Sequence, residues 1–120
     1  MATKSYQPVI WVATSLKDLK AFPRDVQREV GYALYLAKIG GKHPKAKPLR
    51  GFRGVLEIVS DYQTDTYRSV YAVKLGDHIY VLHAFQKKSR RGVATPRQEI
   101  ETIRRRLSLA ERIAKEGQNG

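Results

Sequence analysis

The chain predicts an α+β domain: an N-terminal strand and helical hairpin, an antiparallel three- to four-stranded sheet, and a C-terminal helix. Three observations carry that prediction. Apolar residues recur at helical spacing in two separate stretches, Val26–Ala37 and Ile100–Ala114. Between them, residues 55–86 break into short β-rich segments divided by turn residues. A single unit spanning 1–120 is the natural division of a chain of 120 residues.

Each element has a local cause. Pro8-Val9-Ile10-Trp11-Val12-Ala13 is β-branched and aromatic, and Pro8 suits the first position of an edge strand. Thr14 or Ser15 then caps a short helix through Leu16, Leu19 and Phe22, with Ser15 and Asp18 spaced as a capping box. Pro23 ends it and opens a second helix running to about Ile39, with Val26, Val30, Ala33, Leu34 and Ala37 on one face; Gly40-Gly41 stops that helix. Residues 42–54 lack an apolar period and read as a loop. Three strands follow, Val55–Asp61, Thr66–Leu75 and His78–Gln86, joined by turns at Asp61–Asp65 and Gly76-Asp77. The first strand is expected to join this antiparallel meander at an edge. In the middle strand Tyr67, Ser69, Tyr71, Val73 and Leu75 share one face and Arg68, Val70, Ala72 and Lys74 the other. Thr95-Pro96-Arg97-Gln98 starts the last helix, with Thr95 as cap and Pro96 in its first position. Residues 1–7 and 116–120 are expected to be flexible tails.

Charge narrows the function. Lys and Arg number 23 against 11 Asp and Glu, a formal net charge of +12, so a polyanion is the expected partner and nucleic acid leads. The excess is not uniform. Residues 38–56 carry six basic and no acidic residues, and residues 86–120 carry ten basic against four acidic, whereas residues 57–85 are slightly acidic. Cysteine is absent, which excludes thiolate chemistry, disulfides and Cys-based zinc sites, and three dispersed His residues make no metal site. No cofactor motif is present, and no apolar run suggests a signal or membrane span, so a soluble cytoplasmic protein is expected.

The hairpin connections bring Arg68 and the pair Lys87-Lys88 to one end of the sheet, and the loop carrying Lys47, Arg50 and Arg53 runs directly into it. Guanidinium and ammonium groups gathered there suit a phosphodiester, because both favour the added negative charge of its transition state. Each residue also has an ordinary reading: Arg68 as an edge pair with Asp61 or Asp65, Lys87-Lys88 as a solubilising strand end. His83 alternates with Val81 and Phe85 and reads as a satisfied core histidine, and His43 as an exposed loop residue. Tyr62, Tyr67, Tyr71 and Tyr80 read mostly as strand packing, with one exposed ring able to stack on a base.

The run Lys47-Pro48-Leu49-Arg50-Gly51-Phe52, then Val55-Leu56-Glu57-Ile58, Thr66-Tyr67-Arg68-Ser69-Val70-Tyr71, Val81-Leu82-His83-Ala84-Phe85-Gln86-Lys87-Lys88-Ser89, and Thr95-Pro96 before an Ile/Arg-rich helix resembles the phage-derived, HigB-like branch of the RelE/ParE toxin superfamily. The resemblance covers nearly the whole chain. It implies the toxin of a type II toxin–antitoxin pair, an endoribonuclease that enters the ribosomal A site and cuts mRNA without a metal. It further implies attack of the ribose 2′-OH on the adjacent phosphate, and a cognate antitoxin, a helix-turn-helix protein encoded by the neighbouring gene.

Carried over residue by residue, the resemblance implies catalytic roles for Arg68, Lys87, Lys88 and Lys47, with Arg68 and Lys88 on phosphate oxygens and Lys87 or Lys47 in proton transfer. RNA contacts are expected from Lys45, Arg50, Arg53, Tyr67, Tyr71, Arg90 and Arg91. The chain departs from the pattern after Lys88, where the tyrosine of RelE and the acidic/Tyr/His ending of some HigB toxins have no counterpart; Tyr67 or Tyr71 is the substitute on offer. The alternatives are a ParE-like toxin that poisons gyrase on the same fold, and a non-catalytic basic RNA-binding module.

Overall fold

The computed structural model describes residues 8–87 and 95–119. In chain order they form β1 (Val9–Trp11), α1 (Ser15–Lys20), α2 (Arg24–Lys38), β2 (Lys47–Pro48), β3 (Val55–Tyr62), β4 (Asp65–Leu75), β5 (His78–Lys87) and α3 (Arg97–Asn119). The strands make one five-stranded sheet in the order β1-β5-β4-β3-β2. The α+β prediction holds, with two differences in the sheet. β1 pairs with β5 in parallel, Val9 opposite Ile79 and Trp11 opposite Val81, so the sheet is mixed. Lys47-Pro48, inside the expected loop, adds a fifth strand antiparallel to β3. Two residues flanked by Pro and basic side chains carry no apolar period, which is why the pattern does not show them.

The helices sandwich the sheet. On one face α1 and α2 bury Leu19, Phe22, Val26, Val30, Ala33, Leu34 and Ala37 against Ile58, Tyr67, Tyr71, Ile79, Val81 and Ala84. On the other, Ile103 and Ala110 of α3 pack against Val55, Val70, Ala72, Tyr80 and Leu82, joined by Leu49 and Phe52 of the β2–β3 connection. Burying a branched side chain such as Ile58 or Ile103 stabilises by about 1.5–3 kcal/mol, and both are fully covered.

Register decides which residues face which helix. A two-residue turn at Gln63-Thr64 sets Tyr62 opposite Asp65 and therefore Val59 opposite Arg68. The β4–β5 pair is irregular twice. Between Val81 and His83, Leu82 is an extra residue, so Leu82 and His83 both turn to the α3 face. His83 therefore does not share a face with Val81, as plain alternation expects. The second shift, between Ala72 and Leu75, turns Leu75 to the α3 side, away from Tyr67, Tyr71 and Val73.

The helix ends also depart from expectation. Ser15 makes no capping box: its hydroxyl is buried and donates to the Val81 carbonyl at 3.1 Å, tying α1 to β5. Thr14 stands at the cap position and donates instead to the Asp18 carboxylate at 2.7 Å. At the start of α3 the Pro96 carbonyl accepts from Glu99 and Ile100, and the Thr95 hydroxyl is turned toward the sheet. α3 runs to Asn119, through residues expected to fray. α2 stops where Gly40 takes φ +87°, a left-handed conformation that favours glycine.

Gly31 lies in the middle of α2, where a Cβ would meet nothing within 4 Å. Glycine in a helix interior costs about 0.5–1 kcal/mol relative to alanine. Gly31→Ala is accordingly expected to raise unfolding stability by about that amount, measured by urea denaturation; an unchanged or lower midpoint would contradict the open surroundings of this position.

Candidate functional site

Register places three of the sequence-selected positions, Lys47, Arg68 and Lys87, with Glu57 among them, on the α3 face of the sheet. Lys47 of β2 lies directly opposite Glu57 of β3. Glu57 is diagonal to Arg68 of β4, which opposes Val59, and Arg68 is in turn diagonal to Lys87 of β5, which opposes Thr66. Diagonal neighbours on one face stand about 7–8 Å apart at Cα. Arg68 and Lys87 are thus brought together. Lys47 and Lys87 are three strands and four residue rows apart, roughly 20 Å between backbones, so they do not reach one phosphate. Lys88, Arg90 and Arg91 fall outside the described residues.

Arg68 is buried, and its charge is satisfied inside the fold. Nη1 donates to Glu57 Oε2 at 3.1 Å and to Thr95 Oγ1 at 3.2 Å, while Thr95 Oγ1 donates to the same carboxylate oxygen at 2.8 Å. Side chains of Arg68 and Glu57 are only 9% and 12% exposed, so the pair is weakly screened and its partners are costly to separate. The expected edge pairs with Asp61 and Asp65 are taken otherwise: Thr66 donates to Asp61, and Gln86 to Asp65. The triad lies at the N-terminus of α3, where first-turn amides have no partner within the helix and the helix dipole favours negative charge. An anion arriving there would meet a positive helix end and would compete with the Glu57 carboxylate for the guanidinium and the hydroxyl.

A second polar cluster fixes α3 further along. His83 Nε2 donates to Glu99 Oε1 at 2.6 Å, and its Nδ1 lies 3.3 Å from Arg106 Nη1. Arg106 also donates to the Leu82 carbonyl and to Thr14 Oγ1, linking α3, β5 and the start of α1. Burial holds the imidazole below its ordinary pKa, and Arg106 adds to that, against the opposing pull of Glu99 and Asp18. Neutral His83 with its proton on Nε2 satisfies both neighbours. Arg106, one of the ten basic residues of 86–120, serves this internal network.

The basic loop folds over the same face, as its position before β3 suggests. Phe52 packs beside α3, and the Arg104 guanidinium lies 4.9 Å from its ring centroid. That contact joins the two basic blocks of the sequence. Arg50, Arg53, Arg104 and Arg105 are exposed around it. Gly51 and Gly54, at φ +88° and +71°, give the loop its shape.

Three expectations need correction. Lys45 is turned to the opposite side, paired with Glu29 at 2.8 Å, while Ser60 donates to the other oxygen of that carboxylate. Tyr67 and Tyr71 lie under α1 and α2, 8% and 1% exposed, so neither offers a ring face to a base. Burial pushes the Tyr71 phenol up to about 12, away from proton transfer near neutrality. His43 is buried rather than exposed: it stands edge-on to Tyr32, and Nδ1 accepts from the Lys45 amide at 3.0 Å. Thr95 was expected only as a helix cap, and Glu57, Glu99 and the Phe52–Arg104 contact were not singled out by residue type. Among the described residues no His, Asp and Glu side chains group as metal ligands, and no helix is long and apolar enough to cross a membrane.

The lowered His83 pKa carries a sign. Unfolded chain binds a proton at the ordinary imidazole pKa before the folded chain does, so the contribution is full above about pH 6.5 and is lost as pH falls through the depressed folded value. Thermal melts between pH 8 and 5 are expected to show the wild type losing stability faster than His83→Gln. Parallel pH profiles would contradict a buried neutral imidazole.

No curated protein matches the chain at a significant level. The family model described as phage-derived protein Gp49-like (DUF891) matches residues 17–108, from α1 to the middle of α3. That span takes in all of β2 to β5, the Glu57–Arg68–Thr95 triad, the Phe52–Arg104 contact and His83 with Glu99 and Arg106, and it is most of the chain: the protein belongs to the phage-derived Gp49-like family.

Proposed function

We propose that this protein is the toxin of a type II toxin–antitoxin pair and acts as a metal-independent, ribosome-dependent mRNA endoribonuclease in the cytoplasm. Membership in a family of toxin–antitoxin-associated toxins supports the first part. The observation that carries the second is Arg68, held by Glu57 and Thr95 at the N-terminus of a 23-residue helix with Lys87 diagonal to it. In the proposed reaction the ribose 2′-oxygen bonds to the adjacent phosphorus as its proton leaves to a base. The bond from phosphorus to the 5′-oxygen breaks, leaving a 2′,3′-cyclic phosphate and a protonated 5′-hydroxyl. Arg68 and Lys88 neutralise the phosphate oxygens, and the Lys87 ammonium supplies the proton to the leaving oxygen. Lys47, Arg50, Arg53, Arg90 and Arg91 hold the flanking RNA and ribosomal phosphates, with Arg104 and Arg105 beside them.

Induction of the chain alone is expected to arrest growth and create new mRNA 5′ ends, and Arg68→Lys, which keeps a cation beside Glu57, combined with Lys88→Ala to abolish both with the circular dichroism spectrum unchanged. Intact mRNA in arrested cells, with gyrase-linked DNA breaks instead, would replace this reading with the ParE-like one. Full toxicity in the double variant would remove Arg68 and Lys88 from the site.

Ribosome binding is expected to weaken as salt rises, the log–log slope steepening by roughly 0.7–0.9 for each phosphate contacted. Arg50→Ala with Arg53→Ala should flatten that slope, read by sedimentation with ribosomes at 50–300 mM salt. A slope near zero in the wild type would remove phosphate contacts from the interaction.

A further inference from the structure

The reaction leaves a base of the RNA without a seat, because Tyr67 and Tyr71, the rings expected to stack on it, lie under α1 and α2. A cavity of about 510 Å³ opens elsewhere, where the end of α2 meets the start of β3 and the end of β4. Pro48, Leu56 and Val73 give it apolar walls, and Lys42 and Lys74 stand exposed beside them. Its volume lies within the roughly 300–1,000 Å³ that seats a small organic group. Among the described residues no carboxylate lines it, and neither lysine side chain is paired.

Backbone contacts fix the rim. The amides of Gly40 and Gly41 donate to the Ala37 and Leu36 carbonyls at 3.1 and 2.7 Å, which sets where Lys42 begins. Gly54, at φ +71°, lies so close to the Lys74 stem that a Cβ there would stand 3.4 Å from it, and its carbonyl accepts from the Val73 amide at 2.9 Å. The cavity also adjoins the acid-free segment 38–56. Pro48 opposes Leu56 across the β2–β3 pair, and Lys47 opposes Glu57, one row nearer to Arg68. Arg68 and Lys74 are separated along β4 by about 20 Å. An RNA strand leaving Arg68 therefore passes Lys47 at the sheet edge before it reaches the cavity, roughly six stacked nucleotides on and fewer if extended.

We propose that this cavity is an RNA subsite remote from the point of cleavage. It seats one unstacked base of a single strand against Pro48, Leu56 and Val73, while Lys42 and Lys74 hold the phosphates on either side of that nucleotide. A small free anion would satisfy the lysines but not the acid-free rim that runs on to Lys47, Arg50 and Arg53; a polyanion with one flat apolar group per repeat satisfies both. Apart from the lysines, the lining side chains carry no hydrogen-bonding group, so the seat accepts any base. RNA as the partner rests on the toxin reading, whereas the seat and its lysines require no cleavage.

The test uses the full chain and a labelled single strand of 2′-O-methyl RNA, which lacks the attacking hydroxyl, with affinity read by fluorescence anisotropy. Lys42→Gln with Lys74→Gln is expected to weaken binding about tenfold or more and to flatten the log–log salt slope by about 1.4, two phosphates at roughly 0.7 each. Lys17→Gln with Lys115→Gln removes the same charge from exposed positions elsewhere and should change affinity less than about twofold. Gly41→Leu narrows the cavity at a position where an added Cβ comes no nearer than 3.4 Å to a neighbour. It should weaken binding about fivefold with the salt slope unchanged, the loss of one stacked base, and circular dichroism should show it folded. An abasic strand of the same length keeps the phosphates without the bases; the wild type should bind it about fivefold more weakly than RNA, and Gly41→Leu should lose that preference. Wild-type affinity in Lys42→Gln with Lys74→Gln, a loss no greater than that of the Lys17 and Lys115 pair, or equal binding of RNA and the abasic strand by the wild type would each overturn the subsite. Mapping of mRNA 5′ ends in cells reports on the toxin reading separately: binding at the cavity without cleavage would keep the subsite and remove the nuclease.

Discussion

The seating of α3 on the sheet is the interaction on which the rest of this structure depends. Ile103 and Ala110 supply the apolar contact, fully buried against β4 and β5. Apolar burial alone has no direction and would permit the helix to slide or rotate. Two polar clusters remove that freedom. Thr95 with Glu57 and Arg68 sets the N-terminus, and Glu99 and Arg106 on either side of His83 set the next two turns. Buried polar groups of this kind are costly when broken and tolerate few alternative arrangements. A helix with arginines at three consecutive positions thereby packs in one orientation, with Arg106 turned inward and Arg104 and Arg105 outward.

This arrangement divides the basic residues into two populations. Arg68 and Arg106 are held within the fold by carboxylate, hydroxyl, carbonyl and imidazole groups. Arg50, Arg53, Arg104 and Arg105 remain at the surface, and the stacking of Arg104 on Phe52 ties the loop between β2 and β3 to α3. The net charge measures only the sum. A partner senses the exposed set, and at Arg68 it would compete with Glu57 for the guanidinium.

Much of this was legible beforehand. The apolar periods locate α2, α3 and β3 to β5, and the hairpin connections bring Arg68 and Lys87 to one end of the sheet. The Glu57–Arg68 pair was within reach as well, since a two-residue turn at Gln63-Thr64 dictates that Val59 opposes Arg68 and leaves Glu57 diagonal to it. The parallel pairing of β1 was not, because its partner is 70 residues away and three residues carry no register signal. The inward turn of His43 depends on Tyr32, and the burial of Tyr67 and Tyr71 on how closely α1 and α2 cover the sheet. Those are tertiary facts that residue type does not encode. The bulge at Leu82 escaped for a related reason: in a run as apolar as Ile79–Phe85, either parity looks acceptable.

That bulge has a consequence for how the fold tolerates change. One supernumerary residue inverts the parity of everything after it in β5, so Phe85 and Lys87 face α3 while Ile79 and Val81 face the hairpin. A chain lacking Leu82 would lose a single apolar residue and keep nearly the same hydropathy, yet its basic strand end would emerge beneath α1 and α2. The charge at that end of the molecule is thus addressed by counting rather than by chemistry. In this chain, the spacing between Val81 and Lys87 carries as much information as the lysine itself.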